Sequence, residues 1–255
     1  VTITSNPRHV EAPEALGQGT LIITPTYNER SNLEAFIEAT LGTLPHAHLL
    51  IVDDNSPDGT GNLADEIAAR DPRVRVLHRP SKLGLGTAYV AAFQLGLQDG
   101  YRYLFEMDAD LSHDPKYLPD FLRALERGAD IVIGSRNIPG GGVEGWGPGR
   151  HLLSKGGSLY SRLILGVAVR DLTSGYKAFT REALLAIFAD KVDSNGYSFQ
   201  IEMTYRALRR GLKVVEVPIV FVDRRVGESK MDREIVLEAV AAAWKLRLGA
   251  ARARR

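Results

Sequence analysis

The chain has 255 residues, 44% hydrophobic and 25% charged, with a formal net charge of +1; this is globular composition for one large α/β domain or two small ones, without the cationic surplus that nucleic-acid binding requires. It contains no cysteine, which excludes disulfides, thiol nucleophiles and Cys-held metals and fits a reducing compartment. No apolar run reaches the roughly 18 to 20 residues of a membrane-spanning helix.

The first 20 residues, VTITSNPRHVEAPEALGQGT, have no apolar signal core and many turn formers, so residues 1–19 read as a loose arm. The chain does not begin with Met, which leaves processing or a longer parent polypeptide open. From Leu21 onward, short apolar runs at 21–25, 49–54, 74–80, 103–108 and 130–135 alternate with helix-period segments. Such alternation predicts crossover connections and a mainly parallel central sheet with flanking helices. In the first helix Ser31 and Glu34 have capping-box spacing, and Leu33, Phe36, Ile37, Leu41 and Leu44 form one apolar stripe. Further helices are expected at about 60–70, 86–99 and 115–127. GLG at 84–86 suits a tight strand-to-helix turn, since neither G-x-G-x-x-G nor a Walker lysine is completed.

After Ser135 the pattern changes. NIPGGGVEGWGPGR (137–150) is too long and Gly-rich for a plain connector and predicts a lid or substrate loop. A helix at 151–166, GYKAF, a helix around 197–210, a strand in KVVEVPIVFVD (213–223) and an amphipathic helix from about Asp232 complete the chain. The expected organisation is one domain over 20–249, with a nucleotide-sugar half (20–136) and an acceptor half (137–249), followed by a basic tail at 250–255.

Acidic residues recur after the apolar runs: PTYNE, DDNSPDGT and FEMDADLSHDP, the last holding Glu106, Asp108, Asp110 and Asp114. In an open α/β sheet, ligands bind at the carboxyl ends of the strands. Carboxylates gathered there repel one another unless a cation holds them, and a hard divalent ion shared with substrate phosphates does so. Asp53 and Asp54 before NSPDG also suit plain turn chemistry.

PTYNER, VDDNSPDGT, KLGLGTAY, MDADLSHDP, GSR, DLTSGYKAF and GESKM, in this order over about residues 20–235, resemble the polyprenol-phosphate mannose synthases, dolichol-phosphate mannose synthase-like members of glycosyltransferase family 2. The resemblance implies a Rossmann-like GT-A fold and metal-dependent, inverting transfer of mannose from GDP-mannose to a polyprenyl phosphate, with Mg²⁺ or Mn²⁺ as cofactor. It implies that Pro25, Tyr27, Glu29, Val52 and Asp54 line the guanosine site, closed by Asp108 and Ala109. Asp108 and Asp110 would hold the metal. Some relatives add a Gln ligand where this chain has Ser112, whose hydroxyl would act directly or through a water. Arg136, Arg224 and Lys230 would surround the diphosphate, and Arg136, Arg150 and Ser154 would receive the lipid phosphate. Asp108, Asp110 and Arg136 are the expected catalytic residues; an ionised phosphate nucleophile needs no strong base, so neither His113 nor His151 is given that part.

Three other readings are weighed: a UDP-glucose-dependent polyprenyl-phosphate glycosyltransferase, a transferase acting on a soluble saccharide or protein, against which the basic acceptor-side residues argue, and a non-catalytic nucleotide-binding module. Segment 232–249 begins acidic and ends basic, with Ile235, Val236, Ala239, Val240, Ala243 and Trp244 on one face. It predicts either a closing helix or peripheral contact with the cytoplasmic face of a membrane. A membrane-anchor domain or partner protein would serve the same end.

Overall fold

The computed structural model describes residues 16–190, 192, 196–223 and 243–248; the side chains of 148, 150–153, 196 and 197 lie outside that description. The chain alternates β1 (Thr20–Thr26), α1 (Arg30–Thr43), β2 (His48–Asp53), α2 (Thr60–Ala68), β3 (Val74–His78), α3 (Leu85–Gln98), β4 (Tyr103–Glu106), α4 (Leu118–Glu126) and β5 (Ile131–Ser135). It continues through β6 (Gly142–Glu144), α5 (Pro148–Leu165), β7 (Lys177–Thr180), α6 (Arg181–Ile187), α7 (Gly196–Arg209), β8 (Val214–Pro218) and β9 (Val220–Val222), and residues 243–248 are helical.

Seven strands form one sheet in the order β3-β2-β1-β4-β7-β5-β8. β7 runs antiparallel to both β4 and β5, and the other pairings are parallel. This is the mainly parallel α/β sheet that the alternation predicts. The central strands are apolar on both faces because both are covered. One core holds Tyr89 and Phe93 of α3 with Phe199 of α7, and the opposite core holds Phe36 of α1 and Phe121 of α4. The predicted stripe of α1 is buried, from Leu33 to Leu44.

Three expectations are corrected. Helix α1 starts at Arg30, so Ser31 lies inside it and caps nothing; its N-terminus is tied instead to the β2–α2 loop, where Arg30 N–H donates to Asp58 at 3.1 Å and Glu29 N–H to Thr60 at 3.0 Å. The predicted strand over 213–223 is broken at Ile219, because Pro218 has no N–H to continue a ladder. Its second piece, β9, pairs with β6 in a separate two-stranded sheet. The Gly-rich loop is thereby tethered as part of a ribbon, and α5 begins at Pro148, before the expected start. The GLG segment does make the expected turn, with Gly84 at φ +97° just before α3. The predicted helix from Asp232 lies outside the described residues except for 243–248, as do Arg224, Lys230 and the tail at 250–255.

Candidate active site at the strand ends

The carboxyl ends of β1 to β5 form one rim. Pro25 and Val52 are facing partners at the ends of β1 and β2, as are Thr26 and Asp53. Just beyond them stand Tyr27, Glu29 and Asp54. The two adjacent aspartates divide their labour. Asp53 is buried in turn chemistry, accepting hydrogen bonds from the Thr26 hydroxyl at 3.2 Å and the Ser56 hydroxyl at 2.6 Å. Asp54 makes a buried ion pair with Arg79, at the end of β3, at 2.7 Å. Burial raises the Asp54 carboxyl, with Asp53 adding to the effect, while Arg79 and Lys82 oppose it. Lys82 also sits over the Tyr27 ring, 4.2 Å from its centroid. Arg79 and Lys82 are thus rim residues that motif reading passed over; they stand one and four positions beyond the end of β3.

The acidic stretch after β4 separates into distinct environments. Glu106 faces inward and is fully buried. Asp114 starts a 3-10 turn by accepting from Lys116 N–H at 2.9 Å. Asp108 and Asp110 remain at the rim, the first with a side chain 38% exposed. Leu111, at φ +60°, turns the chain so that Asp110 accepts from both Ser112 N–H at 3.0 Å and the Ser112 hydroxyl at 2.5 Å. Ser112 is buried and orients the Asp110 carboxylate in this structure. His113 Nδ1 accepts from Asp108 N–H at 3.2 Å, which fixes the proton of a neutral ring on Nε2. Its ring stacks on Tyr176 and meets Phe221 edge-on. Below the turn, the phenol of Tyr89 is raised well above its ordinary value by burial and by the charges of Asp108, Glu106 and Asp110.

This set suits a hard cation, since Asp108 and Asp110 offer only oxygen donors at a strand end. Among the described residues no group of three or more His, Cys, Asp or Glu side chains could hold an ion alone. An ion here would draw further oxygens from a bound ligand, as Mg²⁺ does with substrate phosphates.

Across β7, Arg136 follows β5. Its guanidinium donates to both carboxylate oxygens of fully buried Asp171 at 2.7 Å, and to the Thr173 hydroxyl at 3.0 Å. Its backbone N–H binds the same carboxylate at 3.0 Å. Burial would raise the Asp171 carboxyl, but Arg136, its hydrogen bonds and the Lys177 charge together hold it below the usual range. Arg136 is therefore rigid and lies beside the rings of Trp146 and Phe221, 5.9 and 5.6 Å from their centroids. Ser154 lies on α5, half-buried, and Arg150 is on the same helix with its side chain outside the description. The structure brings Pro25, Tyr27, Glu29, Val52, Asp54, Asp108, Ala109, Asp110 and Ser112 to one rim. Arg136 stands on the far side of β7.

The family model for glycosyl transferase family 2 matches residues 21–188. A polyprenol monophosphomannose synthase of Mycolicibacterium smegmatis is 52% identical over 233 residues, covering 90% of this chain and 88% of its own. An undecaprenyl-phosphate mannosyltransferase of Micrococcus luteus is 51% identical over 220 residues, covering 86% of this chain and 90% of its own. Among solved structures, glucosyl-3-phosphoglycerate synthase of Mycobacterium tuberculosis, in complex with Mn²⁺, uridine diphosphate and glucosyl-3-phosphoglycerate, aligns at a TM-score of 0.66 and 22% identity, over 97% of this chain and 87% of that one. At that identity the likeness is one of fold. The chain belongs to glycosyl transferase family 2 and, within it, to the family of the polyprenyl-phosphate mannosyltransferases.

Proposed function

We propose that this protein transfers mannose from GDP-mannose to a polyprenyl phosphate, with inversion at the sugar and with a divalent cation held between Asp108, Asp110 and the donor diphosphate. The observation that carries the reading is the division of the rim. The carboxylates Asp108 and Asp110, with Tyr27, Val52 and Asp54 at the ends of β1 and β2, lie on one side of β7, and Arg136, held by Asp171, lies on the other. The names of relatives about half identical over nearly the whole chain support mannose as the group transferred and a polyprenyl phosphate as the acceptor.

A bound Mg²⁺ or Mn²⁺ would screen the diphosphate and stabilise the charge gained by the leaving group. The chain's own part is positional. Asp108 and Asp110 are held by a left-handed turn and by Ser112, and Arg136 is fixed by both oxygens of Asp171, which sets its guanidinium where a phosphate would approach a donor that already carries two. The lipid phosphate is ionised at neutral pH and attacks without a base. His113 is consistent with this, since its Nδ1 is engaged by Asp108 N–H. Arg150 and Ser154 on α5, and Arg224 and Lys230 outside the described residues, complete the proposed phosphate contacts.

We place the protein peripherally on the cytoplasmic face of a membrane. The described residues include no helix long and apolar enough to cross one. Leu159 and Leu163 of α5 and Trp244 and Leu248 of the C-terminal helical segment are exposed by 53, 73, 47 and 58%. The two elements are joined by a hydrogen bond from Trp244 Nε1 to the Tyr160 hydroxyl at 2.7 Å. Exposed Lys155, Lys245 and Arg247 flank this face, and each is worth roughly 1 kcal/mol near anionic lipid.

The test is labelled GDP-mannose with a defined polyprenyl monophosphate, scored for a chloroform-soluble mannolipid with Mn²⁺ and after chelation. Product that depends on the metal is expected. Folded protein that forms none overturns the reading, and thermal stabilisation by UDP but not GDP would move the donor to a uridine nucleotide.

A further inference from the structure

Beneath the rim, buried polar groups of β4, β7 and α7 form one cluster. Glu106 at the end of β4 and Lys177 at the start of β7 are facing partners in the antiparallel register, and both are fully buried. Gln200, on α7 and 2% exposed, lies between them. Its Nε2 donates to Glu106 Oε2 at 2.7 Å, while its Oε1 and backbone carbonyl accept from Lys177 Nζ at 2.5 and 2.8 Å. The Lys177 charge in turn acts on Asp171, the residue that aims Arg136.

On the donor side the cluster comes within reach of the rim. A methyl group built on Gly175 would stand 3.9 Å from both Asp108 Oδ2 and Gln200 Nε2, so the carboxylate and the amide border the same space beside Gly175. Glu106 precedes Asp108 by two residues, and its Oε1 has no hydrogen-bond partner among the described residues. Stability does not account for such a network. A buried ion pair is commonly replaced by apolar side chains of similar volume at no loss, and the surrounding cores are apolar. Its place accounts for it, because Lys177 lies on β7 between Glu106 of β4 and Ile133 of β5, the strands that lead to Asp108 and Arg136.

We infer that Gln200 is a positioning residue which, through Glu106 on one side and Lys177 and Asp171 on the other, sets the spacing between the Asp108–Asp110 turn and Arg136, and so aligns donor and acceptor for transfer. The inference rests on the proposed reading of those two sides. In a correctly aligned site, a displacement of about 1 Å costs on the order of a hundredfold in rate.

The experiment compares the wild type, Gln200→Met and the charge-balanced double variant Glu106→Leu/Lys177→Met, by thermal melting and by steady-state kinetics with GDP-mannose and a polyprenyl monophosphate. Both variants are expected to lose at least about tenfold in kcat while KM for each substrate stays within about threefold. A folded variant with wild-type kcat overturns the inference, as does a loss carried entirely by KM for one substrate. Should Gln200→Met fail to fold, the double variant decides alone, since it leaves no uncompensated buried charge. A wild type without transfer activity refutes the proposed function instead.

Discussion

Asp171 is a residue whose effect can be separated by pH. Its carboxyl is held below the ordinary carboxylate range in the folded state, so the folded form binds its proton less readily than the unfolded chain does. The stabilisation it gives is fully present above the unfolded value of about 3.9 and is lost as pH falls through the lower folded value. Asp171→Asn leaves the Arg136 guanidinium without its counter-charge and is expected to cost about 3–5 kcal/mol at pH 7. The gap in stability from wild type should narrow below about pH 4, as denaturant titrations across pH would measure. Gly175→Ala probes the other side. The new methyl meets His113, Asp108 and Gln200 at ordinary contact distances of 3.6 to 3.9 Å, so melting should be unchanged while Mn²⁺ and GDP bind more weakly together. Equal binding by isothermal titration would show that the space beside Asp108 is not used. The rim aspartates were legible in the sequence because each follows an apolar run that can only be a buried strand. Lys177, Gln200 and Asp171 were not, since their partners lie 23 to 94 residues away and nothing local marks a lysine in GYKAF as buried.

At the scale of elements, the ribbon of β6 and β9 decides how Trp146 is held. Gly141 allows the chain to pass so close to β5 that a Cβ there would stand 2.4 Å from the Ser135 carbonyl oxygen, a backbone atom that cannot move aside alone. Gly142 N–H then reaches the Ile219 carbonyl at 2.9 Å, and Trp146 meets Phe221. Gly141→Ala is therefore expected to detach the ribbon while the seven-stranded sheet persists. In a Trp244→Phe background, Trp146 is the one remaining tryptophan of the chain, and its emission should shift to the red with turnover reduced. Unchanged emission would show that β6 and β9 accommodate the methyl. Periodicity predicted the helices and parallel strands well, because each buries one stripe or two full faces. It missed the short ribbon, whose residues are only half-buried, and read β8 and β9 as one strand, because a run of valines outweighs one proline.

For the whole molecule, the strand order brings the acidic ends of β1, β2 and β4 and Arg136 after β5 to the same edge although β7 runs against its neighbours. The linker that enters β7 lies at that edge, where Asp171 and Thr173 hold Arg136 and Gly175 stands near Asp108. Helix α5 leads away from the rim toward the exposed face of Leu159, Leu163, Trp244 and Leu248, and Arg247 reaches the Leu165 carbonyl at 3.4 Å near the helix end. Vesicles with anionic lipid should bind the protein in a salt-sensitive way, and Leu159→Glu/Leu163→Glu should weaken this by about tenfold or more, as flotation would measure, while leaving turnover on a short, water-soluble prenyl phosphate intact. Binding that ignores the two substitutions would assign attachment to another surface. The same face has a colloidal consequence in plain buffer. Four large apolar side chains on adjoining helices form a patch that water wets poorly, and a second molecule offers the nearest cover. Concentrated protein without lipid should therefore self-associate reversibly, with a sedimentation coefficient that rises with concentration and collapses to the monomer value when a mild detergent coats the patch.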